Sequence, residues 1–403
     1  MTNTYVLSCL FGPRLLRSWL LVALSSLCLC AAAVAAETLT ASPNGQPATL
    51  AQALERARDG DTIELLPGRY TEIGLVIENR RLTLRGLPGG PDRRLPVFDG
   101  EGRVGPARAL LTVRGGEVTI DSLEFRGARS TQSDGAGVRL EGGRLKLLRS
   151  RFQDNEHGLV TSNDESAEVF IDSTEFGMAP RVVGGLYHLV NIGRIARFEA
   201  VGSRFQQGFE GHLIKTRARQ TVLRYNIIHD GPRGGASYAV DLPAGGDALL
   251  IGNVIAQGRE SQNIGLIAFG ADDSAWPRSR LVLAHNTLLN YRLLPGWFLR
   301  VFSDRLPADT EVLAVNNLTA GGGLFEWGAP GRFEGNAAVS FGALLDIDTY
   351  AFELPPGSSR RGSGVDPRRL GGLDLSPQAE FKWPTGIQPL GPQTRWTPGA
   401  YQR

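Results

Sequence analysis

A short polar-then-apolar phrase recurs along this chain, and it limits the folds open to the sequence more than any other feature. It reads DSLEF ending at Phe125, RSRF at Phe152, DSTEF at Phe176, GSRF at Phe205, YNII at Ile228, GNVI at Ile255, HNTLL at Asn286 and VNNL at Leu318. Each phrase is long enough for one strand only, and the glycines and asparagines between phrases supply the positive-φ corners that a coil must turn. A repeat of a few tens of residues is the mark of a solenoid, in which successive coils stack and bury one continuous aliphatic core. Asn226, Asn253, Asn286 and Asn316 are expected to form a side-chain ladder at one corner. A β-sandwich would show closer hairpin spacing, and the two-residue Asn-Gly or Asp-Gly turns it needs do not dominate the chain. The reading is therefore an all-β, single-stranded, right-handed parallel β-helix.

Both ends of a solenoid expose core and need covering. Between Ala48 and Arg58 apolar residues fall at Leu50, Ala53, Leu54 and Ala57, a helical spacing, so residues 37–60 are read as the N-terminal cap and 61–345 as the coils. Residues 346–403 are rich in proline, glycine and arginine and are predicted to seal the last coil, with Trp383 and Trp396 as anchors. The chain has 403 residues, 42% apolar, with 51 glycines and 23 prolines, which excludes a disordered or collagenous chain and suits many turns.

Arg14 and Arg17 precede an apolar run from Trp19 to Val34 that ends in Ala33-Val34-Ala35-Ala36. Residues 1–36 read as a cleaved signal peptide, with a retained anchor as the alternative, so the protein is expected in the periplasm or outside the cell. All three cysteines, Cys9, Cys28 and Cys30, lie in that segment, and the mature chain relies on packing without disulfides. The net charge of +2 comes from 43 basic and 41 acidic residues spread along the chain, without the basic stripe that nucleic acid requires. A monomer without a membrane partner is expected.

Chemistry on such a fold sits on the outer face, where side chains of successive coils form rows. Tyr187–Asn191, Gly211–Lys215 and Ser237–Asp241 follow one another at nearly equal offsets, one coil each. This stacks His188, His212 and Tyr238 in one row and Asn191, Lys215 and Asp241 in another, with His157 opening the first row one coil earlier. Positions three apart on a strand face opposite sides, so both rows face outward only if a bulge or corner falls between them. Lys215 stands out because the chain has three lysines, Lys146, Lys215 and Lys382, among its 43 basic residues. A lysine offers an adjustable point charge suited to a general base, although a solvated lysine on a sheet face is the plain alternative. The histidines are read as a structural stack or a proton relay, and they lack the partners of a zinc site. The catalytic candidates are Lys215, His212, Tyr238, Arg217 and Asp241; His188, Asn191, Arg224, Asn263 and Trp297 are candidates for substrate binding. Trp276, Trp297, Phe298 and Trp327 are placed to stack on sugars along a groove.

The cap followed by DGDTIELLPGRY, the N-x-apolar coils and the closing PGAYQR resemble exported bacterial right-handed β-helix proteins of the pectate lyase superfamily, over nearly the whole mature chain. The stretches GHLIKTRARQTVLRYNIIHDG, SYAVDLPAGGDALLIGNVIAQG and NIGLIAFGA resemble one subgroup of them. The phrase around Lys215 is similar to the lysine-bearing coil of chondroitinase B and alginate lyases, where acidic calcium ligands precede the lysine and an arginine lies one coil on. Here Glu210 stands five residues before Lys215, Gly208 replaces a second acid, and the next coil offers Tyr238 and Asp241 in place of the arginine. The resemblance implies a polysaccharide lyase, with calcium at Glu210 and Asp241 as a possible cofactor and a uronate-containing polysaccharide as partner. The alternatives are a non-catalytic carbohydrate-binding or matrix-associated solenoid, and a glycoside hydrolase using Asp230 with Asp241.

Overall fold

Strand after strand pairs in parallel with the equivalent strand one coil on, three strands to a coil. The computed structural model describes residues 35–327, 331–369 and 372–403, and residues 36–403 form one unit. The export segment expected over 1–36, with its three cysteines, lies outside the described residues except for Ala35 and Ala36. Among the described residues the first and second strands of the coils make a 20-stranded sheet and the third strands an 11-stranded sheet. In two early coils the first two strands are one continuous strand, Ala109–Asp121 and Ala136–Leu148, and their register shifts around Arg114, where Gly115 and Gly116 turn the corner with positive φ. The architecture is the right-handed parallel β-helix expected from the repeat.

The phrase ends point inward and stack. Tyr70, Phe98, Phe125, Phe152, Phe176 and Phe205 form a column with ring centroids 5.8, 4.7, 5.1, 4.6 and 5.3 Å apart. Ile228, Ile255 and Leu288 continue it in register. Large apolar side chains repeated at one phase thus convert directly into a single buried column.

The corner after the second strand carries the ladder. Asn226, Asn253, Asn286, Asn317 and Asn336 are its amide rungs, each accepting the backbone N–H of the rung below at 2.9–3.0 Å. Ser150, Thr174 and Ser203 extend it toward the N-terminus with hydroxyl acceptors. The rung expected at Asn316 is Asn317 instead. Asn316 takes the positive-φ position of the corner, φ +53°, matching Tyr225, Gly252 and His285, and its amide bonds to Val365. The same shift places Thr319 opposite Leu288, so Leu318 points outward.

At the N-terminal end Thr38–Ala41 pairs with Thr62–Leu65, so the first strand precedes the cap helix. The helix, Leu50–Arg56, starts with a capping box between Thr49 and Gln52, and the Glu72 carboxylate accepts from the N–H groups of Leu50 and Ala51. It buries Leu50, Ala53 and Leu54 against the first strands.

The tail behaves differently from the expected seal. It straps back along the outside of the third strands, where Phe352, Leu354, Phe381 and Tyr401 cover Ile227, Val254, Leu289 and Leu318, and Gly386 donates to the Gly202 carbonyl. The reason is legible in the strands: the same outward positions are charged in earlier coils, with Glu124, Arg151, Glu175 and Arg204 linked in ion pairs, and apolar where the tail lies. Trp383 sits under the Arg204 guanidinium, where one pattern changes to the other.

Candidate functional site

The first strands of three adjacent coils, Val190–Ile192, Ile214–Thr216 and Val240–Leu242, place Asn191, Lys215 and Asp241 side by side. Before them His157, His188, His212 and Tyr238 stack with ring centroids 5.8, 4.7 and 5.4 Å apart. Both rows face outward because the backbone bends at Leu189, Leu213 and Ala239, where two successive side chains in each coil enter the core: Leu189 and Val190, Leu213 and Ile214, Ala239 and Val240. That bend resolves the conflict with strict alternation.

The imidazole row is a backbone ladder. Nδ1 of His188 and His212 accepts the N–H of His212 and Tyr238 at 2.9 and 3.2 Å, and Nδ1 of His157 lies between the His188 N–H, 3.1 Å, and the His188 carbonyl oxygen, 3.0 Å. An accepting Nδ1 leaves the proton on Nε2, so no imidazole hands a proton to the next, and the relay is not what the geometry builds. Burial holds all three neutral: His157 and His188 lie below the ordinary range, and His212 is pushed down to about 3 by burial and then by Lys215 and Arg217. His212 Nε2 lies 3.3 Å from Asp241 Oδ2, a close contact made by a neutral ring.

Asp241 is the buried floor and Lys215 the reachable group above it, with side chains 5% and 20% exposed and Nζ 3.8 Å from Oδ2. Burial raises the Asp241 carboxyl to about 6, against the opposing pull of Lys215 and Arg217, and its Oδ1 accepts no hydrogen bond. Arg217 is tied to Asp272 at 2.6 Å. Tyr238 is pushed above its ordinary range by burial and so remains a phenol.

Arg300 belongs to this cluster and escapes sequence reasoning. It continues the Lys215 row through Asp241 and Ala268. In these two rows the intervening coil offers only Gly265 and Ala268, so Tyr238 and Arg300 lean toward each other across it. A Cβ on Gly265 would lie 3.2 Å from the Tyr238 ring and 3.8 Å from the Arg300 Cβ. The guanidinium lies 5.4 Å from the centre of the Trp297 ring and 4.5 Å from that of Phe302. No carboxylate among the described residues pairs with it. The usable signal is the small-residue pair in one coil flanked by large polar residues in the next ones.

Other candidates fall elsewhere. Arg224 lies on a second strand, Gln220–Arg224, round the corner from Lys215, and pairs with Glu199 at 3.2 Å. Asn263 is built into a loop, donating to Ser237 Oγ and accepting from Gln257 and Arg292 through its carbonyl. Trp297 is on the face, in the row of Tyr238 and Gly265. Trp276 is buried beneath Arg194, with its indole N–H on the Arg217 carbonyl, and Phe298 points into the core; neither can meet a sugar. The Trp327 side chain lies outside the described residues. Glu210 accepts the Gly184 N–H at 2.7 Å, and both oxygens of Asp230 accept loop N–H groups, from Gly208 and Ala236. Asp230 is thus a loop brace beneath a cleft of about 850 Å³, and not half of a carboxylate pair. Calcium takes six to eight oxygen ligands. Asp241, flanked by Lys215 and an imidazole N–H, does not fit that demand, and among the described residues no group of three His, Cys, Asp or Glu side chains converges.

No protein-family model matches the chain, and no curated protein matches it. Among solved structures, pectate lyase Pel9A superposes with a TM-score of 0.57 at 13% identity, covering 91% of this chain and 96% of that one. An alginate lyase from Paenibacillus sp. str. FPU-7 superposes with a TM-score of 0.51 at 15% identity, covering 75% and 99%. At such identities the likeness is one of fold: the chain is a right-handed parallel β-helix, the fold of those two enzymes.

Proposed function

We propose that this protein is an exported, monomeric polysaccharide lyase that cleaves a uronate-containing polymer by β-elimination. The observation that carries the reading is the convergence of Lys215, Asp241, His212 and Tyr238 on one outward face of adjacent coils, with Lys215 on top of a buried carboxylate. The two lyases with the same fold support it, and the Arg-bearing apolar leader supports export. The Lys215 amine takes the proton on the carbon beside the uronate carboxylate, the bond from the next carbon to the leaving oxygen breaks, and a carbon–carbon double bond forms between them. The Tyr238 hydroxyl gives its proton to the leaving oxygen. Arg217 adds positive potential where the carboxylate gains charge. Asp241 and His212 are positioning residues: the carboxylate draws Lys215 toward the face, and the imidazole fixes the carboxylate.

Asp241 also sets a pH limit. Its ordinary value is 3.8 and burial holds it near 6, so below about pH 6 the folded protein takes up a proton there and the attraction for Lys215 and His212 is lost. The rate is expected to fall on the acid side with an apparent pKa near 6, and Asp241→Asn to remove that limb. Stability has the opposite sign: the unfolded chain ionises first, so this group costs stability increasingly from pH 3.8 to about 6 and fully above it. Urea unfolding at pH 5 and 8 should show Asp241→Asn gaining on the wild type at the higher pH.

The second reading, a binding solenoid without catalysis, is favoured by one observation: Lys215 is already ion-paired with Asp241, 3.8 Å away. A panel of uronate-containing and neutral polysaccharides separates the readings. Ultraviolet-absorbing unsaturated product from a uronan is expected for the lyase. Reducing ends without unsaturation would indicate hydrolysis, and retention on a polymer without product would indicate binding alone.

A further inference from the structure

We infer that Arg300, Trp297 and Tyr238 form a second, carboxylate-reading subsite further along the helix axis, which holds a uronate unit beyond the one at Lys215. The inference rests on the polyuronate reading of the same face and names what selects the polymer.

The backbones of Lys215 and Arg300 are three coils apart, about 14 Å at the usual strand spacing. One unit of an extended glycan advances by roughly one coil, so a chain lying along the axis from Lys215 passes over the coil of Gly265 and Ala268 to reach Trp297. In the two rows that hold Tyr238 and Arg300 that coil presents only Gly265 and Ala268, with the exposed Ile264 just before them, so the space between Tyr238 and Arg300 is not filled from below.

Every other cation of the cluster has an acidic neighbour: Lys215 has Asp241 and Arg217 has Asp272. Arg300 instead lies against the faces of Trp297 and Phe302, and its charge favours ionisation of the Tyr238 phenol. A guanidinium packed on aromatic rings is weakly hydrated and held in one plane, and its donor edge matches the two oxygens of a carboxylate. Trp297 beside it is half-buried, and the exposed part of its side chain adds apolar surface for the same sugar. Beside the Tyr238 oxygen, a carboxylate offers the guanidinium a charged two-oxygen acceptor where a neutral sugar offers only hydroxyls, and selectivity follows from that difference.

The test uses the full chain carrying Lys215→Ala, so that polymer is not consumed, and measures affinity for a polygalacturonate or alginate hexamer, the matching dimer, and fully methyl-esterified polygalacturonate. Arg300→Met is expected to weaken hexamer binding about tenfold or more. It should affect the dimer less and leave the esterified polymer unchanged, while Arg300→Lys restores part of the loss. Equal loss on charged and esterified polymer, or no loss on either, overturns the subsite even if the wild type makes unsaturated product. Charge-selective, Arg300-dependent binding without any product from the wild type upholds the subsite and removes the lyase reading. No binding of any uronan overturns the subsite. An unchanged urea midpoint for Arg300→Lys shows that the fold is intact.

Discussion

Lys215→Ala is expected to reduce the formation of unsaturated product by about 10²–10⁴-fold, the usual contribution of a positioned general base, while leaving the polymer bound. The size follows from the absence of a substitute nearby. His212 has its Nδ1 lone pair on the Tyr238 N–H, which leaves the ring proton on Nε2, so neither nitrogen can take a substrate proton. Asp241 is 5% exposed in its side chain and lies beneath the lysine. Tyr238 is held as a phenol by burial. Binding persists in this variant because Arg300 and Trp297 lie on later coils and do not touch Lys215. The measurement is initial rate against polymer concentration, with kcat falling and KM nearly constant. Lys215→Met, which keeps most of the side-chain volume over Asp241, should be as inactive as the alanine variant. A variant that retains more than a tenth of the wild-type rate would take the base away from Lys215 and leave Tyr238 as the remaining candidate.

The two rows of this site are legible in sequence because three coils in succession, those of Asn191, Lys215 and Asp241, repeat at nearly equal intervals with no irregularity in the strand. Whether both rows face outward is not legible there. That depends on the bend at Leu189, Leu213 and Ala239, and a bend made by two inward apolar residues looks in sequence like any buried strand. Arg300 escapes because the interval from Ala268 to Arg300 is longer than those between the earlier members of its row, so counting coils by a fixed period passes it by. Its partnership with Tyr238 also skips a coil, and it depends on the room that Gly265 and Ala268 leave once the coils are stacked. Asn316 passes for a rung for a related reason. Two adjacent asparagines fit the corner equally well by composition, and only the positive φ of the first separates the turn residue from the ladder residue. Trp276 and Phe298 show the same limit for aromatics: a tryptophan or phenylalanine at a coil corner reads alike whether it packs inward or faces a ligand.

Asn286→Ala is expected to cost about 3–4 kcal/mol of stability, because it strands neighbours as well as losing bonds. Asn286 is fully buried; its Oδ1 accepts from the N–H and the Nδ2 of Asn253, both at 3.0 Å, and its Nδ2 donates to the Leu250 carbonyl at 2.8 Å and to Asn317 Oδ1 at 2.9 Å. Alanine leaves the Asn253 N–H and the Leu250 carbonyl buried without these partners, in a corner closed on all sides. The chain itself supplies the control. In earlier coils Ser150 and Ser203 accept the same N–H through a hydroxyl and donate to a carbonyl of their own coil, so Asn286→Ser is expected to recover part of the loss. Urea unfolding gives the size of the effect, and amide exchange gives its place. The strands of each coil pair only with those of its neighbours, so the Asn253 N–H and the coils on either side of Asn286 should lose protection while the distant coils of Phe98 to Phe152 keep theirs. An alanine variant within about 1 kcal/mol of the wild type would mean that the ladder only follows a corner already fixed by the strands, and that the stacked core of Phe125, Phe152 and Phe176 sets the register of the coils without it.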